Sequence, residues 1–437
     1  MEIIVKIGQF LLSISILIVL HEFGHFFFAR LFNTRVEKFF LFFDPGFSLF
    51  KVKKGDTTYG IGWLPLGGYV KIAGMIDESM DKEQMKQPAK PYEFRAKPAW
   101  QRLIIMLGGV MVNFLLGFLI YAAILYTWGE DYLPVKNMQH GVVVDSTAYQ
   151  AGFRNGDLIL SLDGNQVDRF SQIVPTILLE DVNTVQVKRD GRTESIQLSL
   201  HIKKRIIKGD RLFSPRYPFI VGGFAKKSVA RNAGIQKGDR ILRIDSIETP
   251  MADLLKPALN NFPNQEVTVT VLRNGREKEF TLTLDETAML GVAVDLISVI
   301  QFETKKYTFL EAIPAGVAKA WESGKMYLQQ FKLIFSSETE AYKEVGGFIT
   351  IGKIFPGVWN WQSFWGLTAF LSIMLAILNL LPIPALDGGH VTFLLYEIIT
   401  GKQPGEKFME YAQLTGMAII FALLIFVNGN DIIKLFQ

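Results

Sequence analysis

The sequence contains no cysteine, so no part of the fold is held together by disulfide bonds. This absence leaves the cellular compartment undecided. Lysine and arginine (46) exceed aspartate and glutamate (42) by only four in 437 residues, and no basic tract stands out. We therefore predict no nucleic-acid partner. The N-terminal apolar segment also lacks a small-x-small cleavage site, so we interpret it as a retained membrane helix and not as a signal peptide.

Apolar residues, in contrast, are abundant. They make up 49% of the chain, and phenylalanine alone occurs 35 times. This composition predicts a membrane protein with sizeable water-exposed parts, and the length allows several domains.

The first apolar segment contains the sequence His21-Glu22-Phe23-Gly24-His25. Ionisable groups inside a membrane segment are costly, so they indicate a functional site. Histidines four residues apart lie on one helix face and can bind the same Zn²⁺, which activates a water molecule. Glu22 would then be the general base. The alternative is a chance match on a helix, which the apolar surroundings disfavour.

A third zinc ligand is expected, because a zinc protease uses three protein ligands and one open position. The candidate is Asp387, within Asn379–Gly389. Pro382 and Pro384 interrupt the preceding apolar helix, so Asp387 would lie at a disrupted helix end. Alone, this pattern is typical of a turn that leaves the bilayer. We interpret His390 as structural or as supporting a ligand, because a fourth protein ligand would close the site.

The two motifs together resemble those of the site-2 protease family of intramembrane zinc metalloproteases. Over nearly its whole length, the chain looks like the bacterial regulator-of-sigma-E type within that family. The resemblance implies that His21, His25 and Asp387 bind Zn²⁺ and that Glu22 is the catalytic base. It also implies that Asn379 helps to hold the substrate near the metal.

The hydropathy pattern predicts a polytopic α-helical membrane protein with four transmembrane helices. The loop 30–102 is rich in lysine and arginine, which favours its cytoplasmic placement and puts 129–300 on the other side. The resemblance implies the bacterial inner membrane, with the repeats in the periplasm. The predicted segments are transmembrane helix 1 (1–29), a cytoplasmic loop with a re-entrant sheet (30–102), transmembrane helix 2 (103–128), two repeats (129–212 and 213–300), an amphipathic helical segment (301–363), transmembrane helix 3 (364–387), a cytoplasmic loop (388–410) and transmembrane helix 4 (411–430).

A small membrane-associated β-sheet is predicted after the first helix. Strand-like stretches 47–53 and 59–63 flank a Lys-Gly-Asp turn, and 67–73 follows. One interpretation is a purely structural hairpin. The other, which the resemblance favours, is a re-entrant sheet whose edge pairs with unwound substrate. The substrate-binding candidates are then Gly67, Gly68, Tyr69 and Val70. The charged stretch 77–97 predicts a loop or a short surface helix.

Two segments between the second and third membrane helices repeat each other. Gly141–Asp163 matches Gly223–Asp245 at a constant offset of 82 residues, with the shared pattern Ala-Gly-x-x-x-Gly-Asp-x-Ile-Leu. The pattern resembles PDZ domains, which bind extended peptides by adding a strand to a sheet edge. The alternative is a steric screen that excludes substrates still carrying a bulky outer domain.

Apolar residues between 307 and 335 recur at helical spacing with lysines between them. This pattern predicts an amphipathic helix at the outer membrane surface, kinked near Pro314. A core helix of a soluble domain is the alternative.

Peptide-bond hydrolysis within or near the bilayer is the expected activity. The resemblance implies single-span membrane proteins as substrates, such as an anti-sigma factor or remnant signal peptides, in an envelope-stress pathway. The alternatives are a non-catalytic PDZ adaptor with a vestigial zinc site and a zinc transport protein. The intact His21, Glu22, His25 and Asp387 disfavour the first. The second would need more intramembrane acidic and histidine residues than the chain has.

Overall fold

The computed structural model describes residues 1–65, 67–75 and 88–436, so residues 77–87 of the charged stretch lie outside the described residues. The chain forms two compact units. The helical unit comprises Met1–Gly129, Lys306–Lys332 and Lys343–Gln437, and the repeat unit comprises Glu130–Lys305 and Leu333–Tyr342.

The helices of the described residues are α1 (Glu2–Leu31), α2 (Ala99–Thr127), α3 (Ser146–Gln150), α4 (Phe170–Leu179), α5 (Leu200–Ile207), α6 (Val229–Asn232), α7 (Ala252–Leu259), α8 (Leu296–Val299), α9 (Phe309–Ile334), α10 (Phe348–Ile354), α11 (Trp361–Leu380), α12 (Asp387–Thr400) and α13 (Glu406–Leu435).

The strands of the described residues are β1 (Val36–Leu41), β2 (Phe43–Lys54), β3 (Thr57–Leu64), β4 (Tyr69–Ile72), β5 (Glu130–Tyr132), β6 (Val142–Val144), β7 (Leu158–Leu162), β8 (Thr184–Arg189), β9 (Arg192–Gln197), β10 (Phe213–Pro215), β11 (Val221–Phe224), β12 (Arg240–Ile244), β13 (Ile247–Glu248), β14 (Glu266–Arg273), β15 (Arg276–Thr283), β16 (Val292–Val294) and β17 (Glu303–Lys305).

Among the described residues, four helices of the helical unit are long and apolar enough to cross a membrane: α1, α2, α11 and α13. They correspond to the four predicted transmembrane helices. The fourth was predicted too short, as 411–430, because polar residues at both of its ends continue the helix over Glu406–Leu435. The third was predicted to run to Asp387, but α11 ends at Leu380 and a non-helical segment follows.

The predicted cytoplasmic loop 388–410 is wrong over most of its length, because α12 occupies Asp387–Thr400. Val391 and Leu394, three residues apart, bury their side chains against α1 and α2. Gly401 then ends the helix in the left-handed conformation, with φ of 70°. The proline- and glycine-rich start of this segment resembles a turn, which concealed the helix in the sequence.

Glycines let α1 and α2 touch directly. A Cβ atom built on Gly24 would lie 2.3 Å from the carbonyl oxygen of Gly108. Because lipid provides no hydrophobic drive between helices, such close backbone contacts are a common basis of membrane helix packing. The contact lies one residue before His25 and therefore fixes α2 beside the histidine motif.

In the described part of the helical unit, the sheet has four strands in the order β2-β3-β1-β4. The sequence predicted the regions of β2, β3 and β4 but not β1, which pairs parallel to β3 and antiparallel to β4. Strands are recognised in a sequence by alternating apolar and polar residues. In β1 the consecutive Phe39 and Phe40 break this alternation and look like a continuation of the phenylalanines of α1. At the other end of the sheet Phe47 is 60% exposed and stacks on Trp63.

The predicted amphipathic helix corresponds to α9, but its apolar residues are distributed unexpectedly. The buried face consists of small residues four apart, Ala312, Gly316, Ala320 and Gly324. Gly316 contacts Ala122 of α2. Large apolar side chains point outwards, and Trp321 is 76% exposed. This arrangement is typical of a helix that packs on membrane helices and presents its large side chains to lipid.

The repeat unit contains the two predicted copies with the same local construction. In the first, β7, β8 and β9 form one sheet and β6 pairs with β10. In the second, β12, β14 and β15 form the corresponding sheet, which β13 extends by one strand beside β12, and β11 pairs with β16. The predicted boundary at 212/213 is slightly early, because β10 pairs with the first copy. The segment 301–305 also differs from the prediction, because β17 pairs with β5.

A buried ion pair recurs in both copies at corresponding positions. Arg189 binds Asp157 at 2.7 Å, and Arg273 binds Asp239 at 2.6 Å. Both aspartates are almost fully buried. The recurrence shows that the sequence repeat is a structural repeat.

Candidate metal centre

The histidine motif lies in the C-terminal half of α1, where two imidazoles share one face. His21 and His25 are one helical turn apart, and each is 7% exposed. Their Nε2 atoms lie 3.2 Å from each other. Glu22, the residue between them on the neighbouring face, is half-buried. The helix therefore holds two candidate metal ligands and the candidate base on one short stretch.

Asp387 reaches the histidines because the chain reverses between α11 and α12. Ala385, with φ of 82°, allows a tight turn after the two prolines. Gly388 and Gly389 permit this turn to pack closely, since a Cβ atom on Gly388 would lie 2.1 Å from the carbonyl oxygen of Leu381. The side chain of Asp387 projects from the first turn of α12.

An ion pair between Arg102 of α2 and Glu397 holds the other end of α12. Both side chains are largely buried. The helix that begins with Asp387 is thus anchored to α2 at a second point, about three turns away.

The three candidate ligand atoms form a nearly equilateral triangle. Oδ2 of Asp387 lies 3.2 Å from Nε2 of His21 and 3.3 Å from Nε2 of His25. A tetrahedral zinc ion with bonds of about 2.0–2.1 Å separates its ligands by about 3.3–3.4 Å. The triangle therefore has the dimensions of one face of a tetrahedral zinc site. Among the described residues, this is the cluster of histidine and acidic side chains that could hold a metal.

Two further observations support a metal at this position. Oδ2 of Asp387 is buried and has no hydrogen-bond partner, which is costly unless a cation binds it. Gly109 of α2 leaves space opposite, because a Cβ atom there would lie 2.5 Å from Nε2 of His25 and 2.6 Å from Cε1 of His21. The donor set of two imidazoles and one carboxylate suits zinc.

The second nitrogen of each imidazole faces α2. Nδ1 of His25 lies 2.9 Å from the carbonyl oxygen of Ile105, which accepts its proton and leaves Nε2 free to bind a metal. Nδ1 of His21 lies 3.2 Å from the amide of Asn113. Sequence reasoning missed these contacts and Gly109, although a lone asparagine in an apolar helix is a signal that could have revealed Asn113.

Asn379, predicted to hold substrate, lies beside the cluster at the end of α11. Its amide nitrogen is 3.3 Å from Nε2 of His21. His390 is half-buried and one turn further along α12 from Asp387, and it is not part of the ligand cluster.

The predicted substrate-binding stretch Gly67–Val70 lies next to the candidate base. A Cβ atom on Gly68 would lie 3.2 Å from Cγ of Glu22. Tyr69 and Val70 begin β4, which is an edge strand of the sheet. The structure therefore brings the predicted substrate stretch close to the candidate base and the ligand cluster.

The sequence profile described as Peptidase family M50 matches residues 9–423 of the chain. The chain belongs to peptidase family M50. This is the site-2 protease family, as the two motifs predicted.

Similar members of family M50 cover essentially the whole chain. A protein of Rickettsia conorii, whose name describes it as a zinc metalloprotease, is 31% identical to this chain over 98% of both chains. The "Regulator of sigma E protease" of Haemophilus influenzae is 26% identical over 98% of this chain and 99% of its own. The "Regulator of sigma-E protease RseP" of Salmonella typhimurium is 25% identical over both full lengths. These relatives support a membrane-bound metalloprotease of the M50 type.

Proposed function

We propose that the protein is an intramembrane zinc endopeptidase that cuts peptide bonds within the membrane segments of single-span proteins. The observation that carries this proposal is the triangle of His21, His25 and Asp387 next to Glu22. A buried ligand set with the edge lengths of a zinc site, beside a carboxylate, is the arrangement that metal-assisted peptide hydrolysis requires.

Each residue has a chemical role in this proposal. His21, His25 and Asp387 would hold Zn²⁺, which supplies Lewis-acid polarisation of the scissile carbonyl and activation of water when bound. Glu22 takes a proton from the attacking water and later delivers it to the leaving amine. Asn379, with its amide beside the cluster, hydrogen-bonds the substrate backbone near the scissile bond.

Substrate must be unwound before it can be cut, because a transmembrane helix uses its own carbonyl groups in hydrogen bonds. We assign this step to β4, which is an edge strand of the described sheet. An extended substrate segment added to that edge would recover backbone hydrogen bonds. The approach of Gly68 to Glu22 supports this role, since a strand bound at β4 would run close to the base.

The two repeats are proposed to be PDZ domains. A cavity of about 610 Å³ in the first copy is lined by β6 and β7 residues, including Val142 and Ile159. This cavity supports peptide binding, while the presence of two copies on one membrane protease also suits a screen against bulky substrates. The lysine and arginine content of the loop 30–102 supports a location of both copies on the extracytoplasmic side of the membrane. We propose that this side is the periplasm and that the membrane is a bacterial inner membrane, as the similarity to the regulators of sigma E suggests.

The names of the relatives suggest a regulatory setting. Two similar proteins are named regulators of sigma E. We therefore propose anti-sigma-factor-like membrane proteins as substrates, in regulated intramembrane proteolysis during envelope stress. Remnant signal peptides are the second proposed substrate class, because they too are single membrane segments.

The test is cleavage of a tagged single-span protein by purified protein in detergent. Wild type is compared with Glu22→Gln and with Glu286→Gln, the same substitution at an exposed position of the repeat unit. We expect wild type and Glu286→Gln to cut and Glu22→Gln to be inactive. Equal cleavage by all three would refute the role of Glu22. Peptide binding by the repeats without cleavage of any single-span substrate would favour the adaptor alternative.

A further inference from the structure

Asn113 is a fully buried polar residue in the apolar helix α2, and its side chain faces a candidate metal ligand. Its amide nitrogen lies 3.2 Å from Nδ1 of His21, and its amide oxygen is buried without a hydrogen-bond partner. A buried amide oxygen without a donor is costly, particularly in a membrane helix. The contact therefore needs an explanation beyond packing.

Two amide nitrogens face the same imidazole from opposite sides. Asn113 Nδ2 faces Nδ1 of His21, and Asn379 Nδ2 faces Nε2 at 3.3 Å. A neutral imidazole has one donor nitrogen and one acceptor nitrogen, so it cannot accept from both amides. One of the two asparagines must turn its oxygen towards the ring.

Metal binding determines which ring nitrogen of His21 carries the proton and which carries the free lone pair. Nε2 is the atom in the ligand triangle, so it must offer its lone pair there and the proton must be on Nδ1. The partner of Nδ1 must then be an acceptor. A half-turn of the Asn113 amide provides one, because its oxygen and nitrogen fill nearly the same space. The same half-turn also moves the amide oxygen of Asn113 out of the buried position in which it has no hydrogen-bond donor.

We propose that Asn113 is a positioning residue that sets the tautomer of His21 for zinc binding, by accepting the Nδ1 proton through its amide oxygen. Its role is parallel to that of the Ile105 carbonyl at His25. The two acceptors come from the same helix, so α2 would fix the ring orientation of both histidines. This inference rests on the zinc site of the proposed function.

The test is the zinc affinity of the full-length protein in detergent, measured by competition with a chromophoric chelator. Asn113→Leu keeps a side chain that branches at Cγ but removes the acceptor, and Asn113→Asp keeps an acceptor oxygen. Ser372→Ala is the matched control, because Ser372 donates to the backbone oxygen of Asn113 at 2.8 Å without touching His21. Loss of a group that orients a metal-bound histidine typically weakens metal binding about 10- to 100-fold.

We expect Asn113→Leu to bind zinc about 10- to 100-fold more weakly, while Asn113→Asp and Ser372→Ala stay within about threefold of wild type. As a second readout, ¹⁵N NMR of labelled histidine should show the His21 proton on Nδ1 in the zinc form of wild type. Wild-type affinity in Asn113→Leu would overturn the proposal. If Asn113→Leu does not fold, a loss of more than tenfold in Asn113→Asp would overturn it.

The outcome separates this inference from the proposed function. Zinc binding by wild type without cleavage of any substrate would refute the protease and leave the Asn113 comparison intact. Absence of zinc binding by wild type would overturn both. Equal losses of zinc affinity in Asn113→Leu and Ser372→Ala would show that Asn113 acts only through packing. That result would overturn its role in setting the tautomer and would leave the proposed function untouched.

Discussion

Substitution of Gly109 by alanine should disable the metal centre while leaving the fold in place. The added Cβ atom would lie 2.5 Å from Nε2 of His25, whereas a relaxed contact between such atoms is about 3.5 Å. The imidazole must therefore move by about 1 Å. It cannot easily do so by a shift of the whole helix, because α1 and α2 already touch at Gly24 and Gly108.

The size of the effect follows from the tolerance of metal coordination. Bond lengths in a working site are held to within about 0.2 Å, so a displacement of about 1 Å amounts to loss of a ligand. We expect zinc affinity to fall by more than about 100-fold, which corresponds to about 2.7 kcal/mol. Strain from the extra methyl group should cost about 1–3 kcal/mol of stability.

The assay is chelator competition for zinc, together with cleavage of the tagged substrate. Gly8→Ala is the matched control, since it adds the same methyl group to α1 at a position with no atom within 4 Å. We expect Gly8→Ala to match wild type in both measurements. If Gly109→Ala binds zinc with wild-type affinity and cleaves substrate, the imidazoles of His21 and His25 do not lie against Gly109 and the predicted clash is refuted.

Three other predictions concern the metal, the loop before α12 and the repeats. A zinc chelator should abolish cleavage without loss of helical circular dichroism, and added zinc should restore it; full activity of metal-free protein would contradict the site. Gly416→Ala should reduce cleavage at least about tenfold, because the Cβ atom of the new alanine would lie 1.6 Å from the carbonyl oxygen of Pro384. Gly429→Ala, the control in the same helix, adds its methyl group in open space, and equal activities of the two variants would contradict this prediction. Asp239→Asn should destabilise the second repeat by about 3 kcal/mol, because it removes the buried negative charge that pairs with Arg273. Hydrogen exchange in the full-length protein should then show faster opening of the second repeat. Unchanged exchange would refute the structural role of the ion pair.

The parts of the site that the sequence could predict are those set by local spacing or by long apolar runs. His21 and His25 are four residues apart on a helix, so their shared face follows from helix geometry alone. The membrane helices follow from their length and apolar composition. The repeat follows from the constant offset of its sequence matches, and the structure shows the same kind of ion pair in each copy, Asp157–Arg189 in the first and Asp239–Arg273 in the second.

The parts that could not be predicted depend on how distant segments meet. Asn113 and Gly109 face the histidines only because α2 is rotated to put Gly108 against Gly24. No local pattern in α2 specifies that rotation. In the same way, α12 is helical because Val391 and Leu394 find a surface on other helices, while its own first residues favour a turn.

The backbone contact between Gly24 and Gly108 also limits where a substrate can approach. With no side chain between them, α1 and α2 leave no gap at the level of His25, and a third helix cannot pass between the two. A membrane-embedded substrate must therefore reach the histidines from another direction. Gly68, just before β4, lies next to Glu22 of α1. Under the proposed function, a substrate that enters sideways from the bilayer would therefore arrive where the proposed unwinding strand and the proposed base lie side by side.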